Sequence, residues 1–552
     1  MKAFAPRHAV WKMISLMILA FCALFILMPL GLVLYKALIN PENGAFTTEY
    51  LTKFFTKRFY WSTLVNSMKV TVLSTLLAAL IGVPLAYIMT RYRIRFAAAL
   101  NILIVISYLS PPFIGAYAWI QLLGRNGVLT NTINGLFGIH FDGIYGFTGI
   151  LLVFSLQSFP LIYMYICGAL KSMDYSLIEA AESLGCSALG RMWRVMMPLV
   201  MPTLLAGSLL IFMRVFSDFG TPMLIGEGYK TMPVLVYNQF MSEVGGDDGF
   251  AAALCLIVII LTMFLFFAQR LLSERGSYAQ SALKPMEKIE QRGLAKVLSH
   301  LWVYGVVALA IVPQAVVIYT SFLETSGGQV YTGAYSLENY SAIFAKGSKA
   351  LWNTYALGLI AILLIVVIGV LVAYLTVRHR NLVNSAIDTI SMFPYIIPGS
   401  VLGIAFLFAF NKTPLLLSGT ALILIISFVI RRMPYTVRST AAIIGQISPS
   451  IEEAAISLGA SDGQTFRKVL LPMMVPGILS GAIMSWVTVI SELSSSIILY
   501  TSQTQTLSVS IYTEVIRGNY GNASAFSAVL TVTSILSLLL FFKLTGRRDV
   551  SL

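Results

Sequence analysis

Charge is what this sequence has least of. Asp, Glu, Lys and Arg make up 11% of its 552 residues, against 58% hydrophobic, whereas a soluble domain carries about 25% charged residues. That balance excludes an ordinary water-exposed globular chain. Cysteine and histidine are scarce too. Cys22, Cys167, Cys186 and Cys255 stand alone, mostly inside apolar runs, and His8, His140, His300 and His379 are scattered. Neither a disulfide framework nor a zinc-type spacing is present. No GxxxxGK[ST] phosphate loop occurs, which removes a P-loop ATPase. No nucleophile–base constellation marks an enzyme.

What the sequence has is apolar length. Several runs reach the roughly 20 residues that cross a bilayer as a helix. They are continuous, where barrel strands would be short and alternating. Twelve spans are expected, near 13–35, 64–90, 98–122, 148–170, 203–225, 250–272, 300–322, 354–377, 386–410, 415–431, 475–499 and 523–544. The first is too long for a signal-peptide core and is expected to be retained. The net charge of +14 fits a positive-inside bias better than nucleic-acid binding. With the N-terminus inside, most of the 37 Lys and Arg fall in cytoplasmic segments, Arg431, Arg432 and Arg438 among them. The loop with Lys53, Lys57 and Arg58 runs against the bias, and Lys69 and Arg214 fall inside spans.

The polar stretch 273–299 reads as a cytoplasmic linker between two halves, 1–272 and 300–552. Six spans per half is an even number, so the halves insert the same way up, as a parallel repeat. The repeat is visible in the residues. "EAAESLGCSALGRMWRVMMPLVMPTLLAG" starts at Glu179, and "EAAISLGASDGQTFRKVLLPMMVPGILSG" starts at Glu453. Twelve of 29 aligned positions are identical at a constant offset of 274. Pro160 faces Pro434 at the same offset, and Asn66 faces Asn353 in a second matching pair of stretches.

Both copies fall between the fourth and fifth spans of their half, within loops at about 174–200 and 448–474. Ser176-x-x-Glu179 and Ser450-x-x-Glu453 fit a capping box, and Pro449 suits a first helical turn. Gly185 and Gly459 suit a left-handed helix C-terminus. A second short helix is expected before Pro198 or Pro472, with Pro202 or Pro476 opening the next span. Each half is thus expected to project a helix–Gly–helix knuckle.

The knuckles resemble the signature loop of permease subunits in ATP-binding-cassette importers, at Glu179-Ala180-Ala181…Gly185 and Glu453-Ala454-Ala455…Gly459. The resemblance covers nearly the whole chain as two fused permease domains. It implies an all-α fold of about twelve transmembrane helices in two six-helix repeats, the type I importer permease fold. It further implies that each loop is a coupling helix seated on a cytoplasmic ATPase subunit, so two ATPase copies are expected. An extracytoplasmic binding protein would deliver substrate. ATP would be used by the partner, with no cofactor held by this chain. The setting is a bacterial inner membrane, with both termini cytoplasmic. The stretches "SDFGTPMLIG" (217–226), "FPYIIPGSVLGIAF" (393–406) and "SELSSSIILYTSQTQTLSVSIYTEVI" (491–516) most resemble ferric iron permeases. Related fused permeases handle thiamine, phosphonates or sugar phosphates. An ion-gradient-driven transporter and a non-transporting scaffold are the rival classes.

One constellation bears on substrate. Asp218 and Glu492 lie 274 apart in the fifth span of each half. An acidic side chain at mid-membrane costs about 2.5–3.5 kcal/mol on insertion scales, so a symmetric pair suggests a water-filled path or an interface. Hard cations favour oxygen ligands, which makes the two carboxylates candidates for an iron route. The alternatives are that Asp218 neutralises Arg214 one turn away, or that both sit at the outer membrane edge. A phosphorylated substrate would instead prefer a basic group such as Arg214 or Lys69. Gly82 with Pro84, Pro111-Pro112, Pro394 and Pro398-Gly399 mark helix breaks, which line a cavity or are packing kinks. Tyr108 and Tyr395 lie near such breaks, as oxygen ligands or as aromatic-belt residues.

Overall fold

The computed structural model describes residues 9–41, 43–138, 141–242, 247–275, 286–328 and 330–545. His8, His140 and the 276–285 part of the expected linker lie outside the described residues. The described residues hold two runs of ten helices that match in order, besides the short helices Glu49–Thr56, Val128–Phe137 and Glu338–Lys346. The first run is α1 (Val10–Leu38), α2 (Arg58–Arg91), α3 (Ala97–Leu109), α4 (Pro112–Leu123), α5 (Phe147–Ser172), α6 (Ser176–Ser183), α7 (Ala188–Phe216), α8 (Gly220–Ile225), α9 (Met232–Phe240) and α10 (Asp248–Arg275). The second run is α11 (Gly293–Thr320), α12 (Ser348–Arg378), α13 (Leu382–Ile396), α14 (Gly399–Phe410), α15 (Ala421–Gln446), α16 (Pro449–Ser457), α17 (Asp462–Ile490), α18 (Ser496–Leu499), α19 (Leu507–Ile516) and α20 (Tyr520–Thr545).

Among the described residues, nine helices are long and apolar enough to cross a membrane. Two more spans are the bent pairs α3–α4 and α13–α14, with bends of 99° and 112°. The 26-residue α15, equal in length to its counterpart α5, brings the plausible number to twelve. The bends follow from proline. Ser110 and Pro111 are extended before Pro112, and Ile397 and Pro398 are extended before Gly399. A residue preceding proline is pushed out of the helical region, and proline suits a helix start. The spans expected at 98–122 and 386–410 are therefore each two helices meeting at a corner.

The tenth span is corrected most. It was expected to end at Arg431, but α15 starts later and runs on to Gln446, carrying Arg431, Arg432 and Arg438 inside the helix. The first helix of each run crosses to the other half. α1 packs on α13 and α14, while α11 packs on α3 and α4. Within each half, α2 crosses α5 so closely that a Cβ on Gly82 would lie 2.9 Å from Ile162. Two features were not anticipated. The apolar helices α9 and α19 follow a loop that Asn66 and Asn353 tether, Asn66 to the Lys230 carbonyl at 3.1 Å and Asn353 to the Gln503 carbonyl at 2.9 Å. A two-stranded antiparallel hairpin, β1 (Leu323–Ser326) and β2 (Val330–Tyr335), pairs Thr325 with Tyr331. Tyr331 then meets Ser524 and Gln121 at 3.0 Å each, joining the second half to α4 of the first.

Candidate functional site

Two places carry polar chemistry: the loops between the fourth and fifth spans, and the cavity where the bent helices meet.

The loops end their first helix in the same way. Gly185 and Gly459 have φ of +79° and +90°. Cys186 N donates to the Ala181 carbonyl at 3.0 Å and Gly185 N to that of Glu182 at 2.9 Å. Ala460 N to Ala455 and Gly459 N to Ile456 repeat the pattern at 3.1 and 2.9 Å. This is a Schellman ending, in which the left-handed residue is glycine because a Cβ is disfavoured there. The preceding leucines face outward, Leu184 88% and Leu458 90% exposed. Ala180 and Ala454, one turn back on the same face, are exposed too, while Ala181 and Ala455 are half-buried. Glu179 is half-buried and Glu453 exposed.

The expected capping box is displaced. Ser176 and Ser450 lie inside their helices. The residues that accept from the first-turn amides are Asp174, from Ser176 N at 3.0 Å, and Ser448, from Ser450 N at 3.4 Å. A true capping box starts the next helix, with Gln464 N on Ser461 Oγ at 3.3 Å and Ser461 N on Gln464 Oε1 at 3.0 Å. That helix is no separate element. It runs into the span through one π turn, at Met192–Met196 and Phe466–Leu470, so Pro202 and Pro476 sit inside α7 and α17.

The loops differ in what holds them. In the second, Arg378 Nε pairs with Glu452 at 2.5 Å, with both side chains largely buried. In the first, the equivalent of Glu452 is the apolar Ile178, which is buried, and Arg191 pairs with Glu182 within the loop. The Arg191 guanidinium holds the Glu182 carboxyl below the usual carboxylate range.

The cavity between the halves has a volume of about 190 Å³. Its wall includes Tyr108, Pro112, Arg214, Asp218, Tyr395, Arg431, Arg432, Tyr435 and Glu492. A larger space of about 610 Å³, sharing Tyr108, Tyr395, Tyr435 and Met484, continues it past Arg438 and Gln446. Asp218 and Glu492 are thus brought to one cavity, and each caps the break after its span. Asp218 Oδ1 accepts from Thr221 N at 2.9 Å, and Glu492 Oε1 from Ser495 N at 3.2 Å. Glu492 also pairs with both Arg431 and Arg432, its side chain only 1% exposed. Among the described residues no ion pair joins Arg214 to Asp218. Arg214 instead donates to the Tyr108 carbonyl at 3.4 Å and lies 4.5 Å over that ring. Arg431 and Arg432 are cavity residues that sequence reasoning assigned to a loop. The signal was available, since the 274 offset places Arg431 on Gln157, in the middle of α5.

The model of the "binding-protein-dependent transport system inner membrane component" family matches residues 78–277 and again 365–548. The chain belongs to this family. It is a multi-pass inner-membrane permease of an ATP-binding-cassette importer, a transport subunit and not an enzyme. It is 27% identical to a ferric transport system permease of Actinobacillus pleuropneumoniae over 97% of this chain and 78% of that one. A Salmonella typhimurium permease provisionally assigned to 2-aminoethylphosphonate transport is 27% identical over 49% of this chain and 93% of its own. The molybdenum transport system permease of Escherichia coli is 29% identical over 37% of this chain and 89% of its own.

Proposed function

We propose that this permease moves ferric iron inward, delivered by an extracytoplasmic binding protein. On this reading α6 and α16 are coupling helices that seat on two copies of a cytoplasmic ATPase. Both termini are then cytoplasmic, and the halves are 1–272 and 300–552 around the linker 273–299. Glu179, Ala180, Ala181 and Gly185, with Glu453, Ala454, Ala455 and Gly459, shape the two docking knuckles. Asp218, Glu492 and Arg214 line the path. ATP is consumed by the partner, and this chain carries no cofactor of its own.

The observation that carries the coupling role is the duplicated Schellman ending with an outward leucine on each tip. A single leucine about 90% exposed is ordinary on a surface; what supports a partner groove is its recurrence at the two equivalent tips. The near-full-length ferric relative supports the choice of iron.

The test is uptake by cells with and without the chain, using labelled ferric iron beside 2-aminoethylphosphonate, sugar phosphate and thiamine. Iron uptake is expected to vanish on deletion. Unchanged iron uptake with another substrate lost would discard the ferric reading and leave the permease standing. Gly185→Val together with Gly459→Val is expected to stop uptake while the protein stays in the membrane. Normal uptake in that variant would end the coupling-loop reading.

A further inference from the structure

We propose that the central cavity is an anion site, and that its cargo crosses as ferric iron capped by a small oxyanion rather than as a bare cation. The identity of the metal rests on the ferric reading above; the anion site does not.

The inference begins with the charge on the cavity wall. Five charged side chains line it: three guanidinium groups (Arg214, Arg431, Arg432) against two carboxylates (Asp218, Glu492). Both guanidinium groups on α15 are turned onto Glu492, and that carboxylate also caps α18. Asp218 is engaged by the backbone of α8. Arg214 is placed differently. It makes one hydrogen bond among the described contacts, to the Tyr108 carbonyl, whereas a guanidinium has five donors in a planar fork. The wall as a whole therefore carries one surplus positive charge, and Arg214 is its one guanidinium in no ion pair among the described residues.

A trivalent cation entering this space meets surplus positive charge where screening is weak. An oxyanion meets a counter-charge and a fork that matches its geometry. The backbone adds to the preference. Pro111, Pro112 and Phe113 are on the wall, at the N-terminal end of the 12-residue α4, and helix N-termini favour negative charge. The wider space beyond does not reverse the sign, because its Arg438 is balanced by Asp388 at 3.3 Å.

Ligand supply gives the second argument. A hard cation needs several oxygen ligands. Among the described residues no group of three or more His, Cys, Asp or Glu is placed to hold a metal ion. On this proposal the cargo brings oxygen ligands of its own, beside the phenols of Tyr108, Tyr395 and Tyr435 on the wall. A cavity of about 190 Å³ has room for an ion with a small ligand set, given about 30 Å³ per water molecule.

The experiment is uptake in cells making the full transporter, with membrane levels equalised by immunoblot. The iron probe is labelled ferric iron supplied as citrate or as phosphate in separate arms, and the metal-free probe is labelled 2-aminoethylphosphonate. The variants are Arg214→Gln, Arg214→Lys and Asp218→Asn. Gln keeps a donor for the Tyr108 carbonyl and loses the charge. Arg214→Gln is expected to lower iron uptake about tenfold, the scale of one lost charge-assisted hydrogen bond. Arg214→Lys should recover most of it, and Asp218→Asn, which removes one of the two negative charges on the wall, should raise uptake. The arm with the larger Arg214-dependent uptake names the oxyanion. A loss in Asp218→Asn with none in Arg214→Gln would overturn the anion site in favour of a cation path. Chain-dependent iron uptake indifferent to all three variants would also overturn it, and would leave the ferric reading intact. Phosphonate uptake with the Arg214 dependence, and no iron uptake, would support the anion site and remove the ferric reading.

Discussion

Replacing Glu492 by Gln changes one side chain by almost no volume and removes the counter-charge of two buried cations. Glu492 is 1% exposed, and Arg431 and Arg432 are 10% and 18% exposed at their side chains. Two unit charges 4 Å apart attract by about 4 kcal/mol at an effective dielectric of 20. Removing one partner of a buried pair costs about 3–5 kcal/mol, chiefly because the other charge is left unpaired. Here the remaining charges are two and adjacent, so the upper part of that range is expected. Asp218→Asn is the control, since it alters a cap at the equivalent position without orphaning a bound cation and should cost about 1 kcal/mol. Cys22 and Cys255 are both fully buried, so a thiol-reactive dye reports unfolding of the detergent-solubilised protein on heating. Glu492→Gln should unfold at a clearly lower temperature than Asp218→Asn. Combining Arg431→Gln, Arg432→Ser and Glu492→Asp copies the residues of the first half (Gln157, Ser158 and Asp218) and should recover most of the loss. If Glu492→Gln melts with Asp218→Asn, or the triple variant is no better than the single one, the ion cluster is not what holds α15 to the end of α17.

The other predictions concern the loops. Leu184→Ala and Leu458→Ala touch side chains almost wholly in solvent, so each should change stability by less than about 0.5 kcal/mol while lowering uptake. Glu452→Ala removes the partner of Arg378 and should speed hydrogen exchange over 449–470, with no change over 176–196. Glu182 has its carboxyl held low by Arg191. Its contribution is therefore in place above the ordinary carboxylate range and is lost as pH falls through the lowered value. Exchange in the first loop should rise in acid, and Arg191→Gln should abolish that rise.

The loops were legible because their ending is a local backbone rule. A glycine two residues before a small polar residue, at the close of an Ala-rich turn, needs nothing distant to become a Schellman ending, and Gly185 and Gly459 adopt one. The helix breaks at Pro111-Pro112 and Pro398-Gly399 were legible for the same reason. The capping assignment failed by two residues because Asp174 and Ser448 compete as caps with Ser176 and Ser450, and side-chain reach alone does not choose between them. The hairpin was missed because its short strands are anchored by Tyr331 to Gln121 and Ser524, some two hundred residues away on either side.

The failure at α15 has a different cause and says more about the molecule. A pair of arginines ends an apolar run when each charge is taken alone, because a guanidinium at membrane depth is costly unless it is paired or faces a cavity. Arg431 and Arg432 stay because Glu492, 60 residues further on, is brought against both. The partner is itself the residue that the repeat pairs with Asp218, so the two halves share a backbone and not an electrostatic plan. Where the second half has Arg431, Arg432 and Glu452, the first has Gln157, Ser158 and Ile178. Arg214 reverses the pattern, since its equivalent in the second half is the neutral Thr488. Each half therefore contributes to the cavity a charge the other lacks. The cavity has an asymmetric wall inside a near-symmetric fold, with Arg214 from one half and the Arg431–Arg432–Glu492 cluster from the other. Exchanging residues between equivalent positions is then not a conservative change. Thr488→Arg should place a second guanidinium opposite the first and shift uptake, although the backbone at that position is the one that already carries Arg214.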